Sequence, residues 1–246
     1  MKLRVSQSVV GAILVLFTTL IVNAGSASCR LAVAQSCIGS SHVVVKQQTD
    51  LISAIQNRNL DLVIKLLEAG IDPNFILASN DPPNSPLNEA IAVEQARIVD
   101  ALLAHGADVN FGEEHGIVPL QTAASYGQYE IVQKLIERGA RVNARDENGY
   151  TALLMAASTA HDLKLINLLI SSGAGVKAIS DDGQNALMLA ALRGNKDAVE
   201  LFLKLGVNPC ACNENGESAA DLASEQLNPK NGKEIHEMLA ARCQNP

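Results

Sequence analysis

Tryptophan is absent from this chain of 246 residues, and aromatic residues make up only 3% of it. A core must therefore come from Ala, Leu, Ile and Val, which suits small, closely packed helices. Glycine, at 17 residues, is too scarce for collagen. No long apolar run follows residue 22, which excludes a multi-span membrane protein. Disorder is excluded from the other side, because 48% of the residues are hydrophobic. Positive charge is also short: 19 Lys and Arg face 26 Asp and Glu, for a formal net charge of −7. That balance argues against a general nucleic-acid binder, which needs a basic surface to meet phosphate.

The signatures of chemistry are missing as well. There is no Gly-x-Gly-x-x-Gly, Walker loop, Gly-x-Ser-x-Gly or Cys-x-x-Cys. His236-Glu237-Met238-Leu239-Ala240 approaches a zinc-protease helix, but Ala240 stands where the second ligand is needed. It is expected to be a surface patch of a terminal helix. Asp146-Glu147-Asn148-Gly149 has a faint likeness to a calcium loop without the remaining ligands, and a turn is expected instead. His42, His105, His115, His161 and His236 are scattered, so solvated or helix-capping roles are expected and no metal or cofactor.

The N-terminus has the layout of a secretory signal. Lys2 and Arg4 precede an apolar stretch from Val9 to Val22, and Val22-Asn23-Ala24 offers small residues to a signal peptidase. The run falls short of the roughly 17 to 25 residues a spanning helix needs. Export is therefore expected, periplasmic or secreted, with cleavage near Ala24 and no membrane attachment afterwards. Acylation of Cys29 is not expected, because Ser26, Ala27 and Ser28 lack the leucine of a lipoprotein signal. No glycosylation sequon is present.

Cysteine is confined to the ends: Cys29, Cys37, Cys210, Cys212 and Cys243, with none between residues 38 and 209. Staples at fraying ends suit this distribution better than a metal site, since Cys210-x-Cys212 has no matching pair. Cys29 with Cys37, and Cys243 with either Cys210 or Cys212, would each close one end; connectivity stays open and one thiol is left over.

Between these ends a period emerges. Leu66-Leu67-Glu68-Ala69-Gly70-Ile71-Asp72-Pro73-Asn74 returns as Leu102-Leu103-Ala104-His105-Gly106-Ala107-Asp108-Val109-Asn110 and as Leu135-Ile136-Glu137-Arg138-Gly139-Ala140-Arg141-Val142-Asn143. Shorter copies close at Gly173-Ala174-Gly175-Val176 and Gly206-Val207-Asn208-Pro209. Helix starts at Thr49, Ser85, Val118, Thr151, Asn185 and Ser218 are 36, 33, 33, 34 and 33 residues apart. Thr49, Ser85, Thr151 and Ser218 can cap first helices, and Pro86 and Pro119 suit the first helical position. Ala90, Ala123-Ala124, Ala156-Ala157 and Ala190-Ala191 leave room for neighbouring helices, while Ile98-Val99, Ile131-Val132 and Ala198-Val199 lead an apolar face on the second. Gly70, Gly106, Gly139, Gly173 and Gly206 suit a helix end with positive φ.

With this punctuation the chain resembles the ankyrin-repeat family from Thr49 to about Arg242. The family's opening Thr-Pro-Leu-His is partly kept, with no His in its fourth place. The resemblance implies an all-α solenoid of about six helix-turn-helix repeats with β-hairpin-like fingers. The expected layout is a signal peptide over 1–24, an arm over 25–48 and the repeats over 49–243. The stretch Phe75 to Asn84 carries three extra residues, and Phe75, Ile76 and Leu77 are expected to cover Val43-Val44-Val45 of the arm. Around Asn228-Pro229-Lys230-Asn231-Gly232 the last repeat is stretched into a C-terminal cap.

In the family, partners dock on fingers and first helices, so this chain is expected to bind another protein as a monomer and to catalyse nothing. The fingers would be Glu113-Glu114-His115-Gly116, Asp146-Glu147-Asn148-Gly149, Ser180-Asp181-Asp182-Gly183 and Asn213-Glu214-Asn215-Gly216. Every tip carries an acid, and stacking would line them into a negative ridge that steers a basic partner. The acids in second place, Glu114, Glu147, Asp181 and Glu214, answer to no evident turn requirement. Tyr126 and Tyr150 fall at positions that touch partners in the family; Tyr129 is expected to be half buried. Such a module could serve as an inhibitor or immunity protein for an exported enzyme, or as a structural helper of an envelope protein.

Overall fold

The computed structural model describes residues 44–76, 84–112, 118–159, 163–224 and 229–244. The chain divides into two compact bodies, Met1–Gln47 and Gln48–Pro246. Of the first, only residues 44–47 are described, at the head of helix α1 over 44–56. The expected signal peptide, Cys29 and Cys37 lie outside the described residues.

Among the described residues eleven further helices follow: α2 (Leu60–Glu68), α3 (Pro86–Ala92), α4 (Ala96–Ala104), α5 (Pro119–Ser125), α6 (Tyr129–Glu137), α7 (Ala152–Thr159), α8 (Leu163–Ser171), α9 (Ala186–Arg193), α10 (Lys196–Lys204), α11 (Ala219–Ser224) and α12 (Pro229–Gln244). The described residues hold no strand, so the architecture is all-α. Each odd helix packs on the even helix that follows it from α3 onward, and α3, α5, α7, α9 and α11 pack in sequence as one row. The alanines allow that approach: Ala90, Ala123, Ala124, Ala156, Ala157, Ala190 and Ala191 are all fully buried. Ile98, Val99, Ile131, Val132, Ala198 and Val199 are buried on the second helices, in one continuous core.

The helix starts follow from capping. Ser85 Oγ accepts from the Asn88 N–H at 3.2 Å and Asn185 Oδ1 from Met188 at 3.0 Å, while Pro86 and Pro119 open α3 and α5. Thr151 accepts from Leu154, and Ser218 from Asp221, whose own carboxylate accepts back from the Ser218 N–H at 2.9 Å. Thr49 does not cap a helix: α1 begins before it, at residue 44. The α1 burial falls on Leu51, Ile52, Ala54 and Ile55, whereas Val44 and Val45 stay exposed at 50% and 51%. Phe75 is buried in the repeat core. Leu77 and Val43 lie outside the described residues. The five helix-ending glycines all have positive φ, from 76° to 92°, a region where a side chain is strained.

Asparagines join the repeats. Asn74 Nδ2 donates to the Gly106 carbonyl while its Oδ1 accepts from the Asp108 N–H, so the side chain grips the backbone on both sides of Ala107. Asn110 grips both sides of Ala140 and Asn143 both sides of Ala174 in the same way. In the fourth copy the position holds Lys177, and in the fifth, Cys210. Cys210 is brought to Cys243 of α12 with Cα atoms 5.5 Å apart, a separation that a disulfide spans. Cys212 is exposed and outside that pair. Ile235 and Leu239 of α12 are fully buried in the core.

Candidate binding surface of the fingers

Each described finger is a tight turn built by its first residue. Asp146 Oδ1 accepts from the Asn148 and Tyr150 N–H groups, at 3.0 and 2.8 Å, and the Asp146 and Tyr150 backbones pair. Asn213 does the same with Asn215 and Glu217. Ser180 uses its hydroxyl to accept from the Gln184 N–H, and the Ser180 and Gln184 backbones pair. Isolated antiparallel bridges, Ile179 with Asn185 and Cys212 with Ser218, complete the hairpin-like bases.

The fingers are then joined to one another by main chain. The Asp181 N–H donates to the Asn148 carbonyl at 2.9 Å, and the Glu214 N–H to the Asp182 carbonyl at 3.0 Å. This repeated bond places Glu147, Asp181 and Glu214 at equivalent positions along one edge, all exposed. Gly183 has φ 82° where the next finger comes close; an added Cβ would lie 3.0 Å from backbone atoms of Asn213 and Glu214. Gln121, in the fourth place of the third opening motif, is buried and donates to the Ala144 and Tyr150 carbonyls at 2.9 and 2.6 Å, tying one repeat to the next finger.

Asp181 differs from the expectation that nothing structural asks for a second-place acid. Arg145 Nη2 donates to its carboxylate at 2.8 Å, and Nη1 to the Ile179 carbonyl at 2.9 Å. The partner stands 36 residues away in sequence, so no turn rule could reveal it. Glu147 and Glu214 have no ion pair among the described residues.

Asp182 lies within a local network, accepting from Ser180, Gln184 and the more distant Tyr150 hydroxyl at 3.4 Å. Burial pushes its carboxyl up, but hydrogen bonds from Ser180, its own backbone and Gln184 outweigh that and hold it below the usual aspartate range. The Tyr150 hydroxyl is pushed above its ordinary value by burial and then by the Asp182 charge. The side chains of Asp146, Glu147, Asn148, Tyr150, Asp181, Asp182 and Glu214 are thus gathered on the finger row. Tyr126 is not: it follows the C-terminus of α5, about 10 Å of helix from the finger end. Glu113, Glu114 and His115 lie outside the described residues.

Two histidines have assigned places. His105 Nδ1 meets the Ala101 carbonyl at 2.8 Å at the end of α4, a capping role. His236 is a correction to the surface-patch expectation, since it is half-buried and its Nδ1 meets the Ala220 carbonyl at 2.8 Å, joining α12 to α11. Among the described residues, no group of His, Cys, Asp and Glu could hold a metal ion, and no helix is long and apolar enough to cross a membrane.

The family described as Ankyrin repeats (3 copies) matches residues 51–146, 87–177 and 153–245, and the chain belongs to it. Over 69 residues, 28% of the chain, it is 39% identical to human 2-5A-dependent ribonuclease, of which this covers 9%. It is 37% identical to the mouse enzyme over 82 residues, 33% of this chain and 11% of that one. It is 34% identical to the Drosophila melanogaster ARF GTPase-activating protein Git over 71 residues, 29% of this chain and 9% of that one. The chain thus matches about a tenth of these relatives' length. Ankyrin repeats generally mediate protein–protein interaction and are typically non-enzymatic.

Proposed function

We propose that this chain is an exported ankyrin-repeat module that holds another protein, without covalent chemistry, along its finger row and first helices. The observation that carries this reading is the main-chain bonding between fingers, which fixes successive acidic tips on one exposed edge. With Asp181 engaged by Arg145, Glu147 and Glu214 are the second-place acids of the described tips that have no ion pair among the described residues. Such an edge favours a partner with a basic surface, and accelerates encounter more than it tightens the final complex. The module acts as a monomer, its N-terminal 24 residues direct export, and Cys210 and Cys243 are oxidised in the destination compartment.

Affinity capture from the exporting cell, with native bait beside the Glu147→Lys, Glu214→Lys double variant, tests the reading. Recovery of a basic partner falls sharply with the variant, and its association rate falls with added salt. Equal recovery by both baits refutes the acidic edge; a processed N-terminus at residue 25 in the recovered protein checks export separately.

A further inference from the structure

At the opposite end of the helices from the fingers, the turns joining first to second helix form a different edge. There, Glu94, Ala96, Gln128, Tyr129, Glu130 and Ile131 line a cleft of about 240 Å³ between the second and third repeats. Tyr129 is 40% exposed, in keeping with the half-buried place expected for it, and Tyr126, at the same turn, is 53% exposed. These are two of the three tyrosines in a chain without tryptophan. Exposed aromatics at a preformed recess are the usual anchors of protein contacts.

One wall of the cleft is tied to the preceding repeat. Asn59 and Asn195 cap their own second helices, but the longer Gln128 at the corresponding place turns away and donates from Nε2 to the Ile91 carbonyl of the preceding repeat, at 2.8 Å. That bond identifies the other amide atom as oxygen, and Oε1 is buried with no partner among the described residues. That oxygen is closed to solvent behind the lining, so an occupant of the cleft meets the side chains of Tyr129, Ile131, Glu94 and Glu130 instead. Neither Glu94 nor Glu130 has an ion pair among the described residues, and both are exposed. Arg97 stands beside Ala96 in sequence but is not part of the lining.

We infer that this cleft receives one arginine or lysine side chain of a protein partner, its aliphatic stem against Tyr129 and Ile131 and its cationic head between Glu94 and Glu130. Both side chains combine an apolar stem with a donor-only head, matching an apolar wall and two exposed carboxylates without an ion pair among the described residues. An acidic occupant would be repelled by both glutamates. The site is independent of the finger row, so either can fail alone.

The test uses the full chain, ¹⁵N-labelled, titrated with a Gly/Ser hexapeptide carrying one central arginine and with its glutamate counterpart. Saturating amide shifts are expected at residues 94–96 and 128–131 with the arginine peptide alone. Glu94→Lys with Glu130→Lys should weaken its affinity about tenfold, and Glu147→Lys with Glu214→Lys should leave it unchanged. Tyr129→Ala, which alters no charge, should weaken it too. Equal shifts from the glutamate peptide, insensitivity to the Glu94 and Glu130 reversal in a folded variant, shifts confined to the fingers, or no saturation would each overturn the assignment.

Discussion

Cys210 follows its helix-ending glycine by four residues, as Asn74, Asn110 and Asn143 follow theirs, and reaches into the next repeat as they do. In the oxidised state proposed above, the last junction replaces a pair of hydrogen bonds with a covalent link. The pair is separated by 33 residues, and closing such a loop in the unfolded chain removes conformational freedom equivalent to about 3.7 kcal/mol at 25 °C on the chain-entropy account. The asparagine grips contribute about 1 to 3 kcal/mol each, at roughly 0.5–1.5 per hydrogen bond. In a stack where each repeat contacts its neighbours, the loss should fall on the end that is released. Changing Cys243→Ser, or reducing the chain, should therefore lower hydrogen-exchange protection across α11 and α12 while leaving α5 and α7 as they were. Cys210→Ser should match Cys243→Ser, and Cys212→Ser should change nothing. The reasoning fails if Cys212→Ser alone reproduces the loss, or if protection falls equally throughout the stack.

Asn143→Ala should destabilise by about 1 to 3 kcal/mol, since it removes both bonds across a junction, and should broaden the urea transition as coupling between repeats weakens. Gly127 has φ 69° with open space around it, so Gly127→Ala should cost about 1 kcal/mol through backbone strain alone in thermal melts. Arg58, at φ 56°, sits in that same conformation without being glycine, and Arg58→Gly should stabilise by a few tenths of a kcal/mol to about 1. Asp221 is held below its ordinary range by hydrogen bonds from Ser218. Its contribution is complete above the unfolded value near 3.8 and is lost as pH falls through the lower folded value. Asp221→Asn should flatten that acid limb of the stability curve, measured by denaturation between about pH 5 and pH 2.

The amino-acid sequence by itself determined the repeat, because its marks are local. A glycine that must take positive φ, a proline at the first helical turn, a hydroxyl that caps and an alanine that admits a neighbour act within a few residues of themselves, and so recur at a readable spacing. The acids of the finger tips were legible for the same reason. What Arg145 does to Asp181, what Gln121 does for the next finger, and why Cys210 rather than Cys212 meets Cys243 depended on atoms 23 to 36 residues apart. Only stacking brings those atoms within reach, and a one-dimensional pattern carries no distance between successive copies. Tyr126, by contrast, is set apart from the fingers by the length of its own helix, whose two ends face different edges of the pile.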